Sequence, residues 1–142
     1  MSRLLQFERF APEATPRANG RRHHSRSRWA SIRYALQGLL EAWETQPNLR
    51  LHVGVAVSVI ALSIWIGLSP MEWLWVSFAI GLVIFAELMN TAIEQTVDLA
   101  VGVRSDPQAR QVKDLAAGCV LIACFLAILI GALTFGPHLL AS

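Results

Sequence analysis

Four helical patterns follow one another along the chain from residue 29. Trp29, Ile32, Leu36, Leu39, Leu40 and Trp43 recur at steps of three and four, the period of one helix face. Arg33, Gln37, Glu41 and Glu44 fall mostly on the other side. The spacing predicts an amphipathic helix over 29–46, with Trp at both ends of its apolar face. Such a helix lies in a membrane interface and does not cross it. Pro47 ends it, because the residue before a proline is pushed out of the helical region.

The next three patterns are long enough to span a bilayer. Leu51 to Met71 is a run of 21 residues without Asp, Glu, Lys or Arg, and His52 is its one titratable side chain. A helix of that length crosses about 30 Å of hydrocarbon, and a first span is expected over about 49–68. Ser69, Pro70 and Glu72 then form a helix start: a capping serine, a proline at the first helical position, and a glutamate that completes a capping box. The second helix is predicted over 70–101, with Gly102 as its stop. It is about 48 Å long at the helical rise, so it extends past the hydrocarbon. Asp106-Pro107 starts a third helix, expected over 107–135 and ending ahead of Gly136-Pro137. The fold class is all-α: an integral membrane protein with three transmembrane helices and an N-terminal amphipathic surface helix.

Composition excludes other classes. Hydrophobic residues make up 54% of the 142 and charged residues only 15%, against roughly a quarter in a soluble domain. A water-soluble globule could not coat itself with so little polar surface. Cys119 and Cys124 lie in an apolar run and read as buried thiols, not as a disulfide framework. Residues 1–50 carry a net charge of +5 and residues 51–142 a net of −3. Residues 1–28 lack apolar periodicity and read as a disordered basic tail that touches anionic lipid headgroups. Arg21-Arg22 are not followed by a short apolar region, so a twin-arginine signal is not expected. Lys and Arg cluster in that tail and in the 102–113 connection, which places the N-terminus in the cytoplasm and the C-terminus outside. The remaining residues, 29–142, form one membrane domain. No nucleic-acid partner is expected. Trp65, Trp73 and Trp75 read as interfacial anchors on the outer side. His23, His24 and His138 show no metal-ligand spacing, and His52 reads as structural.

The second helix changes character halfway. Glu87, Asn90, Thr91, Glu94 and Asp98 fall within an arc of about 100° on an otherwise apolar helix. Hydrogen bonds between helices could use the Asn and Thr. Two Glu and one Asp are too costly for that alone, since ionisable groups at membrane depth are functional by default. One carboxylate could hold Mg²⁺, which takes carboxylate and phosphate oxygens. Another could act as general base. Arg110 and Lys113 would meet a phosphate at the same level. Two uses suit this set: phosphoryl transfer to a lipid hydroxyl, or an ion path in a small ion-coupled transporter. The single Lys, Lys113, follows Val112, so there is no phosphate loop of the GK[ST] type.

Residues 87–98 read Glu-Leu-Met-Asn-Thr-Ala-Ile-Glu-Gln-Thr-Val-Asp, and 112–118 read Val-Lys-Asp-Leu-Ala-Ala-Gly. Both resemble the motifs of the small prokaryotic membrane kinases, diacylglycerol kinase and undecaprenol kinase. Tyr34 to Leu39 and Asn48 to His52 are similar as well, and the resemblance covers about 29–136. It implies an ATP-dependent lipid kinase of the bacterial inner membrane, a homotrimer that uses Mg²⁺ and phosphorylates diacylglycerol or undecaprenol. Position by position, it implies that Glu87 is the base and that Asn90 belongs to the catalytic centre. Glu94 would be a Mg²⁺ ligand, and Tyr34, Lys113 and Asp114, with Glu94, would contact ATP. Trp43 would border the lipid beside Glu87.

Two positions depart from the family pattern. Gln46 stands where a second metal-ligating Glu is usual, and offers a carbonyl oxygen without charge. Glu44 lies nearby but on another side of an ideal helix. Arg104-Ser105-Asp106 replaces a Glu-Tyr-His run. These departures leave a catalytically weakened, nucleotide-sensing relative as a further alternative.

Overall fold

The computed structural model describes residues 28–102 and 106–140. The expected basic tail, Arg104-Ser105 in the second connection and the last two residues lie outside the described residues. Four helices are present: α1 (Arg28–Thr45), α2 (Pro47–Ile66), α3 (Pro70–Val101) and α4 (Pro107–Leu140). Residues 35–142 form one unit, and residues up to Tyr34 belong to a separate one. In that N-terminal unit the Arg33 guanidinium lies 5.4 Å from the centre of the Tyr34 ring.

The apolar positions of α1 are uncovered. Trp29, Ile32, Leu36, Leu39, Leu40 and Trp43 are all exposed, and Ala42 is the buried residue of the helix. A helix that leaves a whole apolar stripe unpartnered by protein is suited to a lipid interface.

Local chemistry sets the helix ends. Gln46 is extended, and Pro47 opens α2 at its first position, where a missing N–H costs nothing. Pro47 therefore starts the first span as well as ending α1. The Arg50 guanidinium reaches back and donates to the carbonyls of Trp43 and Glu44 at 3.0 and 2.9 Å, satisfying acceptors that the end of α1 leaves open. Gly67 closes α2 with φ +78°, a conformation that favours glycine, and its N–H donates to the Ser63 carbonyl at 3.1 Å. At the start of α3, Ser69 N–H donates to Glu72 Oε2 at 2.8 Å and Glu72 N–H donates to Ser69 Oγ. This is the reciprocal capping box. Asp106 Oδ1 accepts from the N–H groups of Gln108 and Ala109 at the start of α4.

α2, α3 and α4 are each long and apolar enough to cross a membrane, and α3 is the most buried of the three. Short connections make neighbours antiparallel, with α3 between α2 and α4. Val76, Ala79, Val83, Glu87, Asn90 and Thr91 are buried along α3, and Ala116, Ala123 and Thr134 along α4. The steps are those of a helix seam, and the small residues of α4 let the backbones approach. Leu121, Phe125 and Leu133 of α4 are exposed, as lipid-facing side chains are.

One expected boundary is corrected. α4 does not stop at Phe135 but continues through Gly136 and Pro137 to Leu140. Pro137 falls in the last turn, where the hydrogen bond it removes costs least. The next residue is held across the bundle: His138 Nε2 lies 2.8 Å from Glu72 Oε1.

Candidate active site

The polar positions of α3 occupy the same seam as its buried apolar ones. The face that buries Val76, Ala79 and Val83 near the start of the helix buries Glu87, Asn90 and Thr91 further on. Glu87 is 3% exposed. A carboxylate removed from water is expensive unless a partner compensates it. The group across the α2–α3 seam is His52, whose Nε2 lies 4.0 Å from Glu87 Oε2. His52 is the sixth residue of α2, and the two positions lie about 21 and 26 Å from the connecting turn at the helical rise, so antiparallel packing brings them level.

One turn on, Asn90 Nδ2 donates to Glu94 Oε1 at 3.1 Å. That bond fixes which way the amide points, and it leaves Asn90 Oδ1 buried without a donor. An orphaned buried acceptor is rare, and this one is available to a hydrogen-bond donor or a cation. Glu94 itself is half-buried. The stripe thus grades from a buried carboxylate at Glu87, through Glu94, to the exposed Asp98.

Asp98 meets α4. Lys113 Nζ donates to Asp98 Oδ1 at 2.5 Å, with the lysine one third exposed and the aspartate more so. Arg110 and Asp114 pair with each other at 3.7 Å on the exposed side of α4, where a salt bridge contributes little. The structure therefore brings Lys113 to the acidic stripe and leaves Asp114 outside it.

The other expected site residues lie elsewhere. Trp43 is exposed at the end of α1, and its carbonyl accepts from Arg50. Gln46 sits in the α1–α2 joint with Nε2 3.5 Å from Thr45 Oγ1. Tyr34 belongs to the N-terminal unit. Among the described residues, no group of three or more His, Cys, Asp or Glu could hold a metal ion. Mg²⁺ does not need such a group, since it binds through one or two carboxylates together with substrate phosphates and water. Glu94 fits that mode; the Asn90 oxygen lies on the far side of its amide from Glu94.

An apolar cavity of about 400 Å³ lies between α2, α3 and α4. Val59, Val83, Ile84, Ala127 and Phe135 are among its walls, and His52 is the one titratable side chain besides the Cys124 thiol to line it. The cavity is thus hydrocarbon in character, and His52 in its lining approaches Glu87, one turn beyond the Val83 wall.

Two of these residues escape sequence reasoning. His52 gave a signal, as the single titratable group in the first span, but periodicity does not say what it faces. Arg50 gave none, because its role depends on a bend between two helices.

Fold and site together define a small helical membrane protein that buries a carboxylate in a helix seam and continues it as an acidic stripe. Residues 33–135 match the family model described as prokaryotic diacylglycerol kinase, and the chain belongs to that family. A diacylglycerol kinase of Synechocystis sp. is 38% identical over 111 residues, covering 78% of this chain and 63% of the relative. This chain therefore spans less than two thirds of that relative's length. An undecaprenol kinase of Bacillus subtilis is 37% identical over 109 residues, covering 77% and 88%. A diacylglycerol kinase of Escherichia coli strain K12 is 27% identical over 106 residues, covering 74% and 85%.

Proposed function

We propose that this chain is an ATP-dependent lipid kinase of the bacterial cytoplasmic membrane, with its N-terminus in the cytoplasm and its C-terminus outside. The observation that carries the proposal is Glu87: a carboxylate 3% exposed, placed where an apolar cavity meets a polar stripe that leads to Lys113. A lipid lies with its hydrocarbon in apolar surroundings and its hydroxyl at such a junction. Glu87 takes the hydroxyl proton, the oxygen attacks the γ-phosphorus of ATP, and the bond to the β-phosphate oxygen breaks to release ADP. Lys113 leaves Asp98 to meet phosphate oxygens. Asn90 belongs to the catalytic centre and orients Glu94, which would hold Mg²⁺; that ion when bound neutralises phosphate charge. Asp114 and Tyr34 complete the nucleotide contacts in this proposal. Gln46 adds a neutral metal ligand, and Trp43 borders the lipid.

One copy covers little of its own apolar surface, as the exposed side chains of α4 illustrate. A homotrimer supplies the missing walls, and with them sites shared between copies. The relatives bear the names of two lipid substrates at nearly equal identity, 38% and 37%. The test is transfer of ³²P from γ-labelled ATP to diacylglycerol and to undecaprenol, with Mg²⁺, by the protein in lipid bilayers. Transfer to one lipid, lost in Glu87→Gln, is expected. No transfer to either overturns the proposal for these substrates.

A further inference from the structure

His52 is the side chain by which α2 approaches the carboxylates of α3. It belongs to α2, which otherwise faces the cavity with Val55, Ala56, Val59 and Leu62. Its side chain is one fifth exposed, and its Nε2 points toward Glu87 Oε2. The separation of 4.0 Å exceeds a hydrogen bond, yet a small rotation of either side chain closes it. Among the described residues His52 is the charged or polar side chain that approaches the Glu87 carboxylate, since Asn90, its neighbour on α3, is turned to Glu94. A carboxylate without a hydrogen-bond partner can occupy several staggered rotamers, and a donor across the seam would select among them. Misplacing a reacting group by about 1 Å costs on the order of a hundredfold in rate.

We infer that His52 is the positioning residue of Glu87: its Nε2–H holds the carboxylate in the orientation that meets the substrate hydroxyl. This rests on the kinase reading above for its kinetic consequence, but the pairing itself does not. His52 touches no substrate atom in this scheme and acts through Glu87. The alternative role is merely to line the cavity, and the two roles predict opposite orders of substitution. Gln can place an amide N–H₂ near the position of Nε2. Leu fills similar space and donates nothing.

The pairing is tested on the full chain in lipid bilayers by ¹⁵N NMR of its histidines. The His52 signal is assigned by its loss in His52→Gln. It is expected to shift in Glu87→Gln while that of His138 stays in place. An unmoved His52 signal overturns the pairing, whether or not the protein transfers phosphate. Kinetics test the role. His52→Leu is expected to lower kcat by about a hundredfold with KM for the lipid little changed, and His52→Gln to recover most of it. In a Glu87→Gln background, His52→Leu is expected to lower kcat no further. Equal loss in Leu and Gln, or an effect on KM alone, overturns the positioning role. Absence of turnover in the unmodified protein overturns the kinase reading instead, and the NMR result still decides the pairing.

Discussion

Asp98 and Lys113 close one end of the α3–α4 pair, 2.5 Å apart, and Glu72 and His138 close the other at 2.8 Å. The two contacts are 26 residues apart on α3 and 25 on α4, about 39 Å at the helical rise. Two antiparallel helices are therefore held in one register across the whole membrane thickness, with the carboxylate seam between the clasps.

The Lys113 clasp has a second use if phosphate displaces Asp98. Lys113→Met is expected to raise KM for ATP about tenfold, because a charge-assisted bond to phosphate is lost. The fold, followed by circular dichroism, should not change. Initial rates over a range of ATP concentrations check this, and an unaltered KM would remove Lys113 from nucleotide binding.

Glu87→Gln keeps the volume of the side chain and removes its charge. The assembly state, measured by cross-linking or by native mass spectrometry, is expected to be unchanged. Turnover is expected to fall by at least about a hundredfold, the contribution of a positioned general base. Retained turnover would defeat the assignment of Glu87 as the base.

Gln46 presents a neutral oxygen where a carboxylate would bind a hard cation more tightly. Gln46→Glu is expected to lower the Mg²⁺ concentration for half-maximal rate by about threefold. Titration of activity with Mg²⁺ checks it. An identical dependence in both proteins would count against a metal role in the α1–α2 joint.

The Glu72–His138 clasp lies far from the carboxylates of the proposed site. His138→Ala is expected to lower the midpoint of thermal unfolding in detergent and to leave kcat unchanged. An unchanged midpoint would mean that the end of α4 is held by its apolar contacts alone.

Arg50 satisfies two carbonyls at the end of α1. Arg50→Ala is expected to speed amide exchange in the last turn of α1 about tenfold, with exchange in α3 unaltered. Mass spectrometry of exchanged peptides covering 38–50 reads this directly.

Much of the fold was legible because its signals are local. The Ser69–Glu72 capping box, the glycine at 102 and the Asp106 cap each act within four residues, so their meaning does not depend on the rest of the chain. The polar stripe was legible for a related reason, since its members share one helix and one period. What escaped depends on a second element. Pro137 looked like a stop, and only His138 reaching Glu72, 66 positions away, shows why the helix continues. His52 looked structural because a period identifies a face but not what stands opposite. Asp114 neighbours Lys113 in sequence, yet a helical step of one residue turns it to another side, where it meets Arg110.

Because Glu87, Asn90 and Thr91 continue the seam of Val76, Ala79 and Val83, reading frame along α3 matters more than length. One extra residue after Val83 would rotate everything beyond it by about 100°. The carboxylates would then turn toward lipid while the apolar half stayed in place. Four extra residues would restore the phase to within about 40° but shift Asp98 a full turn from Lys113. An insertion within this helix therefore disturbs the site more than one of the same length in the turn at 67–69.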